Sequence, residues 1–196
     1  MKRTLAISTI LLAGPLLAED TRQLDAHEHG VGELNIAIDG TTLAMELHAP
    51  GADIVGFEYK AKSEEDRKAI DSGVATLARP LELFVFPAAA ECNVTQASAA
   101  LESEDDHNDH DHGHDHEHHD EHAEHEEHAE ETTHSEFHAE YNLNCSDPSA
   151  ISEITFAYFE AFPNARELEI QIASASGAQS FEVTREQPTL DLRGMF

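Results

Sequence analysis

From Glu102 to about Thr133 nearly every residue is His, Asp or Glu, as in Asp109-His110-Asp111-His112-Gly113-His114-Asp115-His116. A stretch with no apolar periodicity buries too little surface to offset the entropy of ordering it, so residues 101–133 read as a disordered loop. Whatever core the chain has must then be assembled from residues 19–100 on one side and 134–196 on the other. Together these are enough for one domain in two halves.

Ahead of the first half, Met1-Lys2-Arg3 precedes an apolar run from Leu5 to Leu17 and the small Ala18, after which Glu19-Asp20 begins an acidic stretch. Positive start, short apolar run and small residue come in the order of a secretory signal peptide over 1–18. The run is too short to span a bilayer, so export to the periplasm is expected, with cleavage after Ala18 and no membrane insertion of the mature chain.

In the first half, Leu34, Ile36 and Ile38 alternate along one strand face and Leu43, Met45 and Leu47 along the next, with the hairpin turn at Asp39-Gly40. Ser63 and Asp66 form a capping signal for a helix that carries Ile70, Val74 and Leu77 at helical spacing to about Ala78, before Pro80. Strands are predicted from Leu81 to Phe86 and near Cys92 to Ala97. In the second half, Phe137, Ala139, Tyr141, Leu143 and Cys145 alternate as one strand face. A short helix or strand follows over Ile151–Phe162, then strands over Leu168–Ala173 and Ser180–Arg185 around a turn at Ser176-Gly177.

A weak repeat relates Ala78-Arg79-Pro80-Leu81-Glu82-Leu83 to Ala165-Arg166-Glu167-Leu168-Glu169-Ile170, and Asn93-Val94-Thr95 to Glu182-Val183-Thr184. Either the halves are related or short alternating strands match by chance. The expected class is α+β, a pseudo-symmetric two-lobed α/β sandwich interrupted by the loop.

The formal charge of −29, from 40 acidic and 11 basic residues, repels nucleic acid and anionic lipid and attracts cations. Of 15 histidines, ten lie in the loop: His107, His110, His112, His114, His116, His118, His119, His122, His125 and His128. Imidazole mixed with carboxylate suits borderline divalent ions, with Zn²⁺ the default guest and Ni²⁺ or Cu²⁺ as alternatives. Several weak, exchanging sites are expected there, because ordering the chain around each ion is costly.

Outside the loop, His27 and His29 are two residues apart, as are His134, Glu136 and His138. Spacing of two places side chains on one strand face, so the two groups meeting across the core make a closed site. The expected core ligands are His27, His29 and His134, with Glu136, His48 or His138 as the fourth. The alternative for His27 and His29 is a frayed N-terminus. Cys92 and Cys145 flank the loop, and an even pair in an oxidising compartment reads as a disulfide, with thiolate metal ligands as the rival reading.

The chain resembles the ZrgA-like periplasmic zinc-binding proteins, long catalogued as a domain of unknown function. The resemblance rests on Ala26-His27-Glu28-His29-Gly30 with Gly32-Glu33-Leu34-Asn35, Val55-Gly56-Phe57-Glu58, the His-Asp-Glu insert, His134-Ser135-Glu136-Phe137, Cys145 and Phe162-Pro163. It implies a pseudo-symmetric α/β body that holds one tight zinc through residues far apart in sequence, a loop that binds more, and a role in zinc import, with an ABC-type importer as partner. The sequence departs from the pattern at Tyr59, where a histidine is expected, and in its extra His48 and His138.

Catalysis is not expected. His125-Glu126-Glu127-His128 has the wrong spacing for a zinc protease helix, and no phosphate loop or nucleophile elbow occurs. Soft ligands for Cu(I) are scarce, with three Met. Zinc capture for uptake and a passive metal sink remain as the two function classes.

Overall fold

The computed structural model describes residues 28–103 and 134–195. The expected leader, His27 and the ten loop histidines lie outside the described residues.

Strands β1 (Val31–Asp39) and β2 (Thr42–Pro50) form the expected hairpin, turning at Gly40 with φ of +57°, a conformation glycine adopts without cost. Short helix α1 (Gly51–Ile54) follows directly. Helix α2 (Glu64–Leu77) begins with a complete capping box: Asp66 N–H donates to Ser63 Oγ at 3.0 Å and Ser63 N–H donates to Asp66 Oδ2 at 2.9 Å.

The strand expected over Leu81–Phe86 is corrected: residues Pro80–Leu83 are helix α3, and only Phe84–Val85 (β3) are extended. Proline at the first helical position is pre-set for a helical turn. Leu83 and Phe84 are both buried, which period-two alternation does not allow.

β4 (Cys92–Ser103) is longer than expected and enters the segment read as loop. β5 (Ser135–Cys145) takes the chain back beside it. The segment after it contains both candidate elements, strand β6 (Glu153–Phe156) and helix α4 (Tyr158–Ala161). β7 (Glu167–Ser174), β8 (Gly177–Thr184) and β9 (Thr189–Asp191) complete the order.

Six strands form one sheet in the order β4-β5-β2-β1-β7-β8, antiparallel except for the β1–β7 pair, and β3-β6-β9 form a small second sheet. The inner face of the large sheet presents Leu34, Ile36, Met45, Leu47, Phe137, Tyr141, Ile170 and Ile172 to the core. Leu77 of α2, Phe84, Phe156, and Tyr158 and Phe159 of α4 close that core from the other side. The fold is thus mixed α/β and mostly β, in two layers.

The first pair of repeat-like segments falls in different elements, Pro80–Leu83 in α3 and Glu167–Ile170 in β7. The second pair falls in β4 and β8, the two edge strands of the large sheet. Cys92 and Cys145 are register partners at one end of the β4–β5 ribbon and form a disulfide.

Candidate metal centre

The outer face of the large sheet carries the polar half of each alternation, and two groups of histidine and carboxylate draw residues from β5 or its entry. The first is built from three chain-remote segments. His29 and Gly30 form the turn into β1, and Gly30 is fixed on both sides: its N–H donates to Asp53 Oδ1 at 2.8 Å, and its carbonyl accepts from Arg166 and Glu167 N–H at 2.8 and 2.9 Å. Glu58 follows α1, where Gly56 at φ +85° turns the chain back. His134 is the residue immediately before β5.

These segments close on one another around Gly51. A Cβ there would meet Phe57 O at 2.8 Å and Ser135 O at 3.1 Å, so only glycine admits both backbones. Those backbones belong to the neighbours of Glu58 and His134. The result is a carboxylate between two imidazoles: His29 Nε2 lies 3.1 Å from Glu58 Oε1, and His134 Nδ1 lies 3.1 Å from Glu58 Oε2. Glu58 is only 12% exposed, against 65% and 45% for the two histidine side chains.

Although His29 Nε2 is close to Glu58 Oε1, that oxygen accepts no hydrogen bond, and Oδ2 of buried Asp53 is likewise unpartnered. Burial raises the Asp53 carboxyl above its ordinary range, against the lowering effect of the Gly30 N–H. Unpartnered buried carboxylate oxygens are costly in the absence of a cation.

The second group lies further along the same face. His48 and His138 are direct register partners on β2 and β5, with rings stacked at 4.6 Å between centroids. Glu46 Oε1 lies 3.4 Å from His48 Nε2 and 3.0 Å from His138 Nε2. Glu136 Oε2 lies 3.3 Å from His48 Nδ1, and Glu102 Oε1 lies 3.4 Å from His138 Nδ1. Among the described residues, Glu46, His48 and His138 offer ligand atoms that all lie within 4.8 Å of one another.

The hydrogen bond to Glu136, aided by its charge and opposed by burial, raises His48 above the usual imidazole range. Burial pushes Glu46 upward, but hydrogen bonds and charge from His138 and His48 outweigh it and hold the carboxyl below its ordinary value.

Of the residues expected to share one core site, then, His29 and His134 meet on Glu58, while His48 and His138 meet on Glu46. Glu136 stands between the groups on β5, its carboxylate on His48. His134 and His138 are four residues apart along an extended chain, about 13 Å. Tyr59, where the resemblance calls for histidine, stacks on Phe57 and donates to Asp66 at the start of α2 at 3.4 Å, turned toward the helix.

Sequence reasoning missed Glu58, Glu46 and Glu102 as partners. For Glu46 the signal was present, since it is two residues before His48 and shares its face.

The description "ZrgA family zinc uptake protein" matches residues 26–192. The chain belongs to the ZrgA family. No curated protein gives a match to the chain when compared individually. The family match spans both histidine–carboxylate groups and the His-rich segment between the halves, and it gives the chain a role connected with zinc. The donor set, imidazole nitrogen with carboxylate oxygen, is one that zinc takes.

Proposed function

We propose that the protein captures zinc in the periplasm after export and supports its uptake, and that it does so as a binding protein and not as an enzyme. Its tight site is the Glu58 centre, in which His29, Glu58 and His134 hold the ion and His27, two residues before His29, supplies the fourth ligand. The observation that carries this reading is the buried Glu58 carboxylate with an imidazole nitrogen 3.1 Å from each oxygen. Tetrahedral zinc with bonds near 2.0–2.1 Å separates its ligand atoms by about 3.3 Å, so the two imidazoles, which rest on opposite oxygens of Glu58, swing toward each other to share one ion.

A centre whose carboxylate is already buried and whose backbone is fixed by Gly30, Asp53 and Gly51 needs little ordering on binding. The ten histidines of residues 101–133 add weaker, exchangeable sites. Holding ions on that segment while one site binds tightly suits delivery to an importer of the ABC type.

The test is zinc retention by the full-length mature protein against a competing chelator. Glu58→Gln keeps the size of the side chain but removes the charge, and it is expected to weaken the tightest zinc by about a hundredfold, the order of cost of losing one buried charged partner. Unchanged retention of the first equivalent would place the tight site elsewhere.

A further inference from the structure

We infer that the Glu46 group is a second, separate zinc site, in which His48 Nε2, His138 Nε2 and a Glu46 oxygen bind the ion and Glu136 and Glu102 orient the two imidazoles from behind.

The hydrogen-bonding groups of this cluster are in conflict. Each of the two rings has a carboxylate oxygen within 3.0–3.4 Å of both of its nitrogens. A carboxylate only accepts, and a neutral imidazole has one N–H to give. With both rings neutral, one nitrogen lone pair on each must face an oxygen lone pair. With both rings protonated every N–H reaches a carboxylate, but two cations then stack at a centroid separation of 4.6 Å. The neutral rings that prevail as pH rises leave the lone-pair conflict unrelieved.

A divalent ion between the three inner atoms resolves this. The Nε2 lone pairs of His48 and His138 and the Glu46 oxygen then all point at a positive charge. Both Nδ1 atoms keep their protons and donate to Glu136 and Glu102. That is the outer arrangement that zinc-binding histidines commonly show, with the far N–H on a carboxylate that fixes the tautomer and strengthens the donor. Here it occurs twice. Three carboxylates against two neutral imidazoles also leave the group with an excess of negative charge that one Zn²⁺ largely cancels.

The site is separate from the Glu58 centre because the strand lattice holds it away. His48 and His138 are fixed opposite each other by the β2–β5 register, and His134 lies about 13 Å back along the same chain. Three protein ligands leave a fourth position for water or an incoming donor, and Glu46, 40% exposed, is on the solvent side. An open three-ligand site exchanges its ion more readily than a closed four-ligand one. Glu102 is the next-to-last residue of β4, paired with Glu136, so the site stands at that end of the β4–β5 ribbon.

The experiment uses the full-length mature protein with its disulfide intact and Zn²⁺ alone as the probe. Imidazole ¹H–¹⁵N long-range spectra of the unmodified protein report each ring's tautomer, with signals assigned by their loss in single variants. Zinc is expected to convert both His48 and His138 to rings protonated on Nδ1 and metal-bound on Nε2. Rings that go on titrating freely with pH at saturating zinc, or that carry the proton on Nε2, would overturn the proposal.

Ion counting against a chelator gives a second readout. His48→Gln should remove one retained ion, Glu58→Gln a different one, and the double variant both; if the two single variants remove the same ion, there is one shared site and the proposal fails. Glu102→Gln, which touches only the Nδ1 proton of His138, should weaken the second ion by about tenfold or more and leave the first unchanged. Should His48→Gln not fold, through-bond assignment of the imidazole signals in the unmodified protein keeps the tautomer readout.

Discussion

The two histidine–carboxylate groups use the same chemistry in inverted constructions. In one, a buried carboxylate holds two exposed rings contributed by a turn and a strand entry. In the other, two half-buried rings in strand register hold an exposed carboxylate. The first depends on irregular backbone forced together at Gly51, and the second on the regular alternation of β2, β4 and β5. The same ligand types can therefore be positioned by packing contacts in one place and by the sheet lattice in another, and damage to either support should fall on one group and spare its counterpart.

The largest effect should come from the sheet. Replacing Cys92 and Cys145 by Ser opens a cross-link that closes a loop with sequence separation 53, and loop-closure entropy puts the loss at about 4 kcal/mol of stability. Because the disulfide anchors β4 to β5, the Glu46 group should lose zinc affinity before the Glu58 centre does. Denaturant melts with and without zinc check both parts, and equal loss at the two groups would contradict the difference in support.

Next in size is the packing contact. Gly51→Ala pushes a methyl against Ser135 and Phe57 backbone, and overpacking of this kind costs about 1–3 kcal/mol. It should displace Glu58 from His134 and weaken the tight zinc, while the tautomers of His48 and His138 at saturating zinc stay as in the unmodified chain. A variant with full affinity at the Glu58 centre would show that the close approach is incidental.

The smallest effect concerns protons. Because His48 is raised in the folded chain, its pairing with Glu136 stabilises the zinc-free protein fully below the unfolded imidazole value of about 6.5, and this contribution is lost as pH rises through the raised value. The same raised value makes protons compete with zinc at His48 from above pH 6.5. Zinc affinity of the Glu46 group, followed through the His48 ring signal, should therefore begin to fall at a higher pH than a free imidazole predicts. A decline confined to lower pH would remove that expectation.

Much of the support for both groups was legible in local pattern. Alternation along Leu43, Met45 and Leu47 already turned Glu46 and His48 outward, and Phe137 with Ala139 did the same for Glu136 and His138. The capping pair Ser63 and Asp66 located α2, and the two cysteines found each other. What local pattern did not carry was which strand lies beside which. That His48 faces His138, and that Glu102 reaches the far side of the same ring, depends on a register set by the whole sheet.

Glu58, named only within the family resemblance, went unread as a partner of the histidines for a different reason. It sits in irregular chain, and its partnership with His29 and His134 exists only because Gly51 and Gly56 permit a backbone path that no periodicity announces. The helix at Pro80–Leu83 was misread because its alternating leucines suit a strand as well as a single helical turn.

The two ends of the β4–β5 ribbon are held by different means. Ser103 and Ser135 are register partners at one end of the ribbon, and Cys92 and Cys145 are tied at the other, so the disulfide secures the end remote from Glu102 and Glu136. Whatever parts Ser103 from Ser135 therefore reaches those two carboxylates before it reaches the cross-link.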